Sequence, residues 1–323
     1  MTDPVGIGLI GTGGVATLHA NAINAVAGLE VAGAFSRNPD NVRRFVDAQG
    51  GRAFESQDAL LADDAVEVVA VCSPAPEHVS QALAALRAGK HVVVEKPIST
   101  TLDEIDLLER EAEKAGRLCM PCHNYVYDPA LVRGREFARE GKFGRIASLW
   151  MIYNQSHDAS AMAPNLTMRE LCIHHAYVVL FFLGRPSTAV ALSANARAPE
   201  SRGDDQVLMA FKTDAGAIAT VWGSFAADDR TRDPWTMIYK VLGTEGGFSF
   251  SWGDVDFRDA PLTGWDRAGY HESFRHLYRH LASRCLGAGE PPLSTLADAR
   301  DALCMIEAAE QAIKGRATQI AYR

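Results

Sequence analysis

Short apolar segments alternate with amphipathic helical segments through the first 123 residues. Helix starts and ends are marked between them: Asn38-Pro39 and a capping box formed by Thr101 and Glu104 are typical of helix starts, and Gly116 is typical of a helix end. This alternation is typical of a parallel sheet with helices on both faces, so we predict a doubly wound α/β domain over residues 1–123. The predicted strands span residues 6–10, 29–35, 66–72, 91–95 and 117–122.

The pattern changes after residue 123, where longer strand-like segments follow one another. A turn at residues 212–216 joins two of them as a hairpin. We predict an α+β domain over residues 124–323, with a large, mostly antiparallel open sheet that is covered by helices on one face. Its last helix, over residues 296–314, is placed where it can pack back on the first domain. The predicted strands span residues 145–155, 188–197, 206–212, 217–225, 235–242 and 247–252.

Composition narrows the class of protein. The 323 residues are 47% hydrophobic and carry a formal net charge of −8, which disfavours nucleic acid and anionic membranes as partners. No apolar run is long enough for a membrane helix, no signal peptide is evident, and six cysteines do not make a disulfide scaffold, so we expect a cytoplasmic protein. Cys119 and Cys122 form one CxxC, which fits either a redox or metal pair or two small residues at a strand end. We predict no metal site.

A glycine-rich turn follows the first predicted strand and opens a helix, which is the context of a dinucleotide-binding fingerprint. Gly11 would permit the tight turn, Gly13 would let the backbone approach a pyrophosphate, and Ala16 would keep the helix close to the sheet. The free N–H groups at the helix start would hold the phosphates. We therefore expect a Rossmann domain whose phosphate loop comprises Gly11, Thr12, Gly13, Gly14, Val15 and Ala16.

The tip of the second strand bears on the choice between NAD and NADP. An acidic residue there would bind the ribose 2′-OH, but the sequence has Ser36 and Arg37 instead. Ser36 can donate to a 2′-phosphate, and Arg37 can pair with it and stack on adenine. This favours NADP, although an enzyme that uses either cofactor, with Arg37 as a solvated turn residue, stays open.

Two further stretches carry a family resemblance. Cys72-Ser73-Pro74 is followed by His78, and residues 88–97 read Ala-Gly-Lys-His-Val-Val-Val-Glu-Lys-Pro. Together with the glycine-rich turn, they resemble the glucose–fructose oxidoreductase / inositol dehydrogenase / rhizopine catabolism (Gfo/Idh/MocA) family. The resemblance implies a catalytic role for Lys96, and it implies a cofactor site that also includes Ser73, Pro74, His78, Glu95, Lys96 and Asn124. Pro97 would fix the chain direction so that Lys96, at the ligand-binding edge of the sheet, can share a proton with a substrate hydroxyl.

A predicted helix over residues 168–184 places Glu170 and His174 on one face. The family usually has Asp and His at this spacing, with the histidine as general acid/base, so the resemblance implies that role for His174 with Glu170 as its support. A satisfied core histidine is the alternative. His175 is either a substrate contact or a core residue. Tyr177 and Val126 depart from the family pattern and leave the substrate open.

The resemblance implies a dehydrogenase that transfers hydride between a nicotinamide and a secondary alcohol of a sugar, cyclitol or related polyol. It also implies a homodimer or homotetramer formed through the C-terminal sheet. Two alternatives remain: an enzyme that holds NAD(P) tightly and cycles hydride internally, and a non-catalytic NADP-binding regulator. We expect substrate contacts from Tyr125, Tyr153, His157, Arg169 and His175.

Overall fold

The structure, a computed structural model, describes residues 3–156, 165–198, 203–226, 236–251, 268–313, 315 and 317–323. The chain divides into two compact units. The first comprises Met1–Tyr127 and His271–Ala299, and the second comprises Asp128–Tyr270 and Arg300–Arg323. None of the helices in the described ranges combines the length and apolar character needed to cross a membrane.

The first unit is built on a six-stranded sheet whose order is β3-β2-β1-β4-β5-β6, and every pairing is parallel. This confirms the doubly wound fold. The two-residue edge strand β3 was not predicted, because both of its residues are exposed and give no apolar signal. The strands are β1 Val5–Ile10, β2 Leu29–Phe35, β3 Arg52–Ala53, β4 Val68–Val71, β5 His91–Val94 and β6 Cys119–Pro121.

Helices connect these strands, and their ends follow local side-chain chemistry. Asn38 caps α2 as predicted, since its side chain accepts from the N–H groups of Asp40 and Asn41. The capping box predicted at Thr101 is wrong: Ser99 Oγ donates to Glu104 Oε2 over 2.5 Å and accepts from the Thr101 N–H, so the glutamate is already engaged. The helices are α1 Gly14–Asn24, α2 Pro39–Gln49, α3 Gln57–Leu61, α4 His78–Arg87 and α5 Leu102–Ala115.

The chain enters the second unit at α6, whose first turn is capped by the Asp128 side chain. A π-helical turn over Thr167–Cys172 precedes α7, so the helix predicted from residue 168 is α-helical only from Ile173. The part of the first unit that spans His271–Ala299 contains most of α8 and a second π-helical turn, Leu281–Leu286. The helices are α6 Pro129–Arg139, α7 Ile173–Leu183, α8 Ala268–His280 and α9 Leu296–Ala312.

The second unit contains a seven-stranded sheet in the order β12-β11-β7-β10-β9-β8-β13. Only β7 and β10 run parallel, which confirms a large, mostly antiparallel sheet. Buried side chains alternate with outward ones along β8 and β9, as in a sheet with one covered face. The strands are β7 Ile146–Asn154, β8 Thr188–Ala194, β9 Gln206–Lys212, β10 Ile218–Ser224, β11 Thr236–Gly243, β12 Gly247–Ser251 and β13 Thr318–Gln319.

Candidate functional site

The glycine-rich turn leaves β1 in a conformation that few residues can adopt. Gly11 has φ +105°, and its N–H donates to the Phe35 carbonyl over 2.8 Å. A Cβ at this position would lie 2.5 Å from the Cys72 carbonyl oxygen, so only glycine fits between the ends of β2 and β4.

Gly13 differs from Gly11, because a Cβ placed there would meet no atom within 4 Å. It is the N-cap of α1 and supplies no side chain to the helix start, and the first turn carries no acidic residue. The backbone N–H groups of this turn and the positive end of the helix dipole are thus open to an anion. Ala16 is fully buried, as close contact between helix and sheet requires.

A cleft of about 450 Å³ lies in the first unit at the carboxyl ends of β1, β2 and β4. Ligands bind at this edge in open α/β sheets, and the cleft joins the helix start to the tip of β2, as a dinucleotide needs. Gly14, Val15 and Ala16 belong to α1 behind it. Of the predicted cofactor residues, the lining contains Gly11, Thr12, Gly13, Ser36, Arg37, Ser73 and Pro74. It also contains residues that the sequence analysis did not select, among them Asn38, Asn41, Glu77 and Gln81.

Hydrogen bonds order the two polar walls of this cleft. Thr12 Oγ1 donates to Ser36 Oγ over 3.0 Å, which joins the phosphate loop to the tip of β2. On the other wall, Ser73 Oγ donates to Gln81 Oε1 over 2.6 Å. Arg37 is exposed at the rim, where its guanidinium can reach a phosphate.

His78 links the two loops that follow β4 and β5 and does not line the cleft. Its side chain is buried, with Nε2 2.8 Å from the Ser73 carbonyl oxygen and Nδ1 2.8 Å from the Pro97 carbonyl oxygen. Pro97 follows Lys96 through a cis peptide bond. The histidine therefore connects the cleft wall at Ser73 to the segment that carries Lys96.

The Glu95 side chain is buried immediately after β5, whereas Lys96 is half-buried. One carboxylate oxygen of Glu95 lies 3.0 Å from His19 Nε2, and the other accepts from the Lys96 N–H over 2.8 Å. Burial alone would raise the pKa of Glu95, but the hydrogen bond to His19 and the nearby charges of His19 and Lys96 lower it to about 2. Glu95 is thus an ionised, fully engaged group beneath Lys96.

The segment at 271–299 adds polar groups to the first unit. Tyr278 OH lies 2.6 Å from His19 Nδ1, and Asn124 Nδ2 donates to Ser273 Oγ over 2.6 Å. Nothing in the local sequence signals these pairings, since they join residues more than a hundred positions apart. Asn124, a predicted cofactor residue, is buried in this contact.

The CxxC cysteines are buried free thiols. Burial raises the pKa of Cys119 to about 12 and that of Cys122 well above its usual value. Both groups therefore stay protonated near neutral pH, which disfavours metal ligation and thiolate chemistry.

In the second unit, His174 is buried in the first turn of α7 and Glu170 is half-buried in the π-helical turn before it. Arg169 makes a two-pronged ion pair with Glu310, with N–O distances of 2.5 and 2.7 Å. This pair ties the π-helical turn to α9 and engages a guanidinium that we expected to contact substrate.

The remaining predicted substrate residues occupy different surroundings. Tyr153 and His175 are buried with their rings 5.7 Å apart, and His175 Nδ1 lies 3.0 Å from Tyr239 OH. Burial lowers the pKa of His175 to about 3, so this imidazole is neutral at neutral pH. Tyr125 is buried in a 3₁₀ turn of the first unit, and His157 lies outside the described residues.

Asp204 is a buried acid that the sequence analysis did not select. Burial raises its pKa to about 6, although the backbone N–H groups of Thr167 and Leu166 partly offset this effect. Thr167 Oγ1 also donates to the Asp204 carbonyl over 3.0 Å. The segment before β9 is thus joined to the start of the π-helical turn.

The parallel sheet, the glycine turn and the cleft at the carboxyl ends of its strands define the first unit as a dinucleotide-binding Rossmann domain. Two family models match the chain: "Oxidoreductase family, NAD-binding Rossmann fold" over residues 5–123, and "GFO/IDH/MocA C-terminal domain" over residues 132–249. The chain belongs to the Gfo/Idh/MocA oxidoreductase family.

Relatives of known name match parts of the chain. A stretch of 121 residues is 38% identical to glucose-6-phosphate 3-dehydrogenase of Bacillus subtilis strain 168, and covers 38% of this chain and 34% of that protein. A stretch of 155 residues is 28% identical to the scyllo-inositol 2-dehydrogenase (NADP(+)) of the same organism, and covers 47% and 42%. The chain thus spans less than half the length of either relative.

Solved structures share the whole fold. The scyllo-inositol dehydrogenase of Lactobacillus casei, with bound NAD(H) and scyllo-inositol, superposes with a TM-score of 0.84 at 17% identity and 98% and 99% coverage of the two chains. A myo-inositol dehydrogenase of Corynebacterium glutamicum gives 0.83 at 18% identity, with 99% and 100% coverage. At these identities the likeness concerns the fold.

Proposed function

We propose that the protein is an NADP-preferring dehydrogenase that acts on a secondary alcohol of a sugar, cyclitol or related polyol. The observation that carries the proposal is the position of Lys96. The buried Glu95, at the carboxyl end of β5, accepts from the Lys96 N–H and so holds this backbone at the same edge of the sheet as the nucleotide cleft. The names of the relatives, which are sugar and inositol dehydrogenases, favour the same substrate class.

In this proposal, different residues bind the cofactor and move the proton. The open start of α1 and the polar walls of the cleft hold the phosphates and the adenosine ribose. When bound, the nicotinamide supplies the hydride acceptor. Lys96 hydrogen-bonds the substrate hydroxyl, His174 takes its proton as general base, and Glu170 supports the imidazole. Tyr125, Tyr153, His157, Arg169 and His175 remain proposed substrate contacts.

Replacement of Lys96 tests the catalytic assignment. Lys96→Ala is expected to lower turnover about 10²–10⁴-fold, because the substrate oxygen loses its proton-sharing partner, while the Kd for NADPH changes little. The assay is dehydrogenase activity on a panel that includes scyllo-inositol, myo-inositol and glucose 6-phosphate. Lys90→Ala is the matched control. Lys90 precedes β5, at the end of the strand opposite to Lys96, and its Nζ donates to the Asp63 carbonyl. Unchanged turnover in Lys96→Ala would contradict the assignment.

The NADP preference is supported by Ser36 and Arg37 at the tip of β2. A guanidinium–phosphate hydrogen bond contributes about 1.5–3 kcal/mol, so Arg37→Ala is expected to weaken NADPH binding about tenfold or more, and to weaken NADH binding less, because NADH loses only the stacking on adenine. Fluorescence titration with both nucleotides measures this. Arg43→Ala is the control, because Arg43 pairs with Asp40 on the exposed face of α2. Tighter binding of NADH by the wild type would overturn the preference.

We further propose that the protein forms a homodimer or homotetramer through the second sheet. The outer face of this sheet carries exposed apolar side chains in register: Trp150, Val190, Leu192, Leu208, Ile218, Trp222 and Leu242. Light scattering should then give the mass of two or four chains, and the mass of one chain at micromolar concentration would contradict the proposal.

The two alternatives predict different outcomes of the same screen. NAD(P) that co-purifies with the protein, and turnover without added cofactor, would indicate internal hydride cycling. Nucleotide binding without turnover on any polyol would indicate a regulator.

A further inference from the structure

We propose that Tyr278, His19 and Glu95 form a positioning chain for Lys96, in which none of the three touches substrate. The proposal rests on the proposed catalytic role of Lys96. It assigns a function to a cluster of polar side chains in the core of the first unit, where a polar group lowers stability unless it is hydrogen-bonded.

The cluster is continuous and leaves neither oxygen of the Glu95 carboxylate unengaged. Oε1 lies 3.0 Å from His19 Nε2, and Oε2 accepts from the Lys96 N–H over 2.8 Å. His19 is fully buried in α1, and its other ring nitrogen lies 2.6 Å from Tyr278 OH. The ring also has edge contacts with Phe274 and Tyr278, at centroid distances of 4.9 and 5.6 Å. Residues of two other segments, the end of β5 and α8, therefore fix the imidazole.

Protonation decides which atom donates in the hydrogen bond between His19 and Glu95. Glu95 is ionised because its pKa is lowered to about 2, so both of its oxygens can only accept. His19 Nε2 must then donate to Glu95. Burial raises the pKa of Tyr278 well above its usual value, so the tyrosine keeps its proton, with its oxygen 2.6 Å from Nδ1 of the ring.

The consequence for Lys96 follows from the charge of the carboxylate. The Lys96 charge already contributes to the low pKa of Glu95, so the two groups lie within electrostatic reach. If His19 is removed, the buried carboxylate loses a hydrogen bond, and the Lys96 ammonium is the nearby positive charge that can compensate it. The lysine would turn inward, away from a substrate hydroxyl. His19 thus satisfies Glu95, so that the Lys96 side chain is not drawn toward the carboxylate.

His19 and Glu95, together with the neighbouring Cys122, have the composition of a metal site, but the protonation of these groups disfavours metal binding. Cys122 Sγ lies 3.8 Å from His19 Nε2, and burial raises the pKa of this thiol well above its usual value. A thiol that keeps its proton, beside a ring nitrogen that donates to Glu95, is a poor ligand set. The three groups are better described as a hydrogen-bonded cluster.

A double-mutant cycle on turnover of the fastest polyol in the screen tests the chain. We expect His19→Met to lower kcat at least tenfold with the Kd for NADPH changed less than threefold. If His19 acts through Lys96, His19→Met should have almost no further effect in a Lys96→Ala background. Additive effects would overturn the positioning role. Unchanged turnover in Lys96→Ala alone would instead overturn the proposed function.

Rescue and a matched control separate positioning from stability. His19→Gln keeps an N–H that can reach Glu95 and should retain kcat within about threefold of wild type. Tyr278→Phe keeps the ring and should have a smaller effect than His19→Met, in the same direction. His91→Met removes the hydrogen bond from Leu118 N to a histidine at the other end of β5, so it should lower Tm without this coupling to Lys96. Equal losses in His19→Met and His19→Gln would contradict the proposal.

A second readout needs neither cofactor nor turnover. The rate of Lys96 acetylation by acetic anhydride, relative to Lys90, can be measured by mass spectrometry on the full-length protein. His19→Met should change this ratio at least threefold, whereas His19→Gln should leave it near the wild-type value. This measurement also reports on a His19→Met protein that is folded but inactive. A ratio that is the same in all three proteins would overturn the proposal.

Discussion

The two sheets of this molecule differ in how far their apolar side chains are buried. In the first unit, every residue of β4 is fully buried, because helices cover both faces of a parallel sheet. In the second unit, β8 alternates between buried and outward residues, yet an outward one such as Leu192 is apolar and 69% exposed. Both faces of the first sheet are covered within one chain, whereas the second sheet presents an exposed apolar face, through which we propose that the chain pairs with another copy.

The two units also hold their buried acids differently. Glu95 has a hydrogen-bond partner on each oxygen, and its pKa is lowered to about 2. Asp204 is buried with less compensation, and its pKa is raised to about 6. Ionisation of Glu95 therefore stabilises the folded first unit and ionisation of Asp204 destabilises the folded second unit, so these two acids make opposite contributions to the pH dependence of stability.

The largest expected effect contrasts one valine of the first sheet with one leucine of the second. Val69→Asp places a charge where the side chain has no exposure and should lower the free energy of unfolding by about 4 kcal/mol or more. Leu192→Asp should change it by less than about 0.5 kcal/mol in the monomer. Urea denaturation at low protein concentration measures both, and light scattering should show that Leu192→Asp shifts the oligomer toward monomer. A large loss of monomer stability in Leu192→Asp would mean that its face is covered within the chain.

A smaller contrast lies within the glycine turn. Gly11→Ala requires a side chain at φ +105° and 2.5 Å from the Cys72 carbonyl oxygen, so it should cost about 1–3 kcal/mol of stability and also weaken NADPH binding. Gly13→Ala has space and should leave Tm within a few degrees, but it should weaken NADPH binding because its Cβ enters the path of the pyrophosphate. Thermal melting and fluorescence titration separate the two. NADPH affinity unchanged in Gly13→Ala would place the phosphates elsewhere.

The sequence alone predicted the architecture because both sheets have strong periodic signals. Continuous apolar runs indicated β1, β2, β4, β5 and β6, and the glycine turn indicated the phosphate-binding loop that follows β1. Short edge strands such as β3 and β13 lack that signal. The polar contacts of His19 could not be predicted, since its partners are Glu95 and Tyr278, 76 and 259 residues away. The π-helical turn before α7 was missed as well, because its sequence has ordinary helical spacing.

The smallest expected effect concerns the opposite contributions of Asp204 and Glu95 to the pH dependence of stability. The folded pKa of Asp204, about 6, lies above the usual value of 3.8, so folded Asp204 holds a proton that the unfolded chain has released between these values. Stability should therefore fall as pH rises through this window, and the penalty should be complete above about pH 6. The stabilisation due to Glu95, whose pKa is lowered from 4.5 to about 2, is present above pH 4.5 and is lost as pH falls through that lower window.

Asp204→Asn should raise the free energy of unfolding by about 1–2 kcal/mol at pH 7 and leave it unchanged near pH 4, since the substitution removes only the ionised form. The neighbouring Asp205 is the matched control, because its carboxylate accepts from the N–H groups of Ala196 and Arg197. Asp205→Asn should destabilise the protein at pH 7, the opposite sign for the same chemical change one residue away. Urea titrations at pH 4 and pH 7 give both values. If Asp204→Asn also destabilises the protein at pH 7, the Asp204 carboxylate is compensated as fully as that of Glu95, and the contrast between the two units is lost.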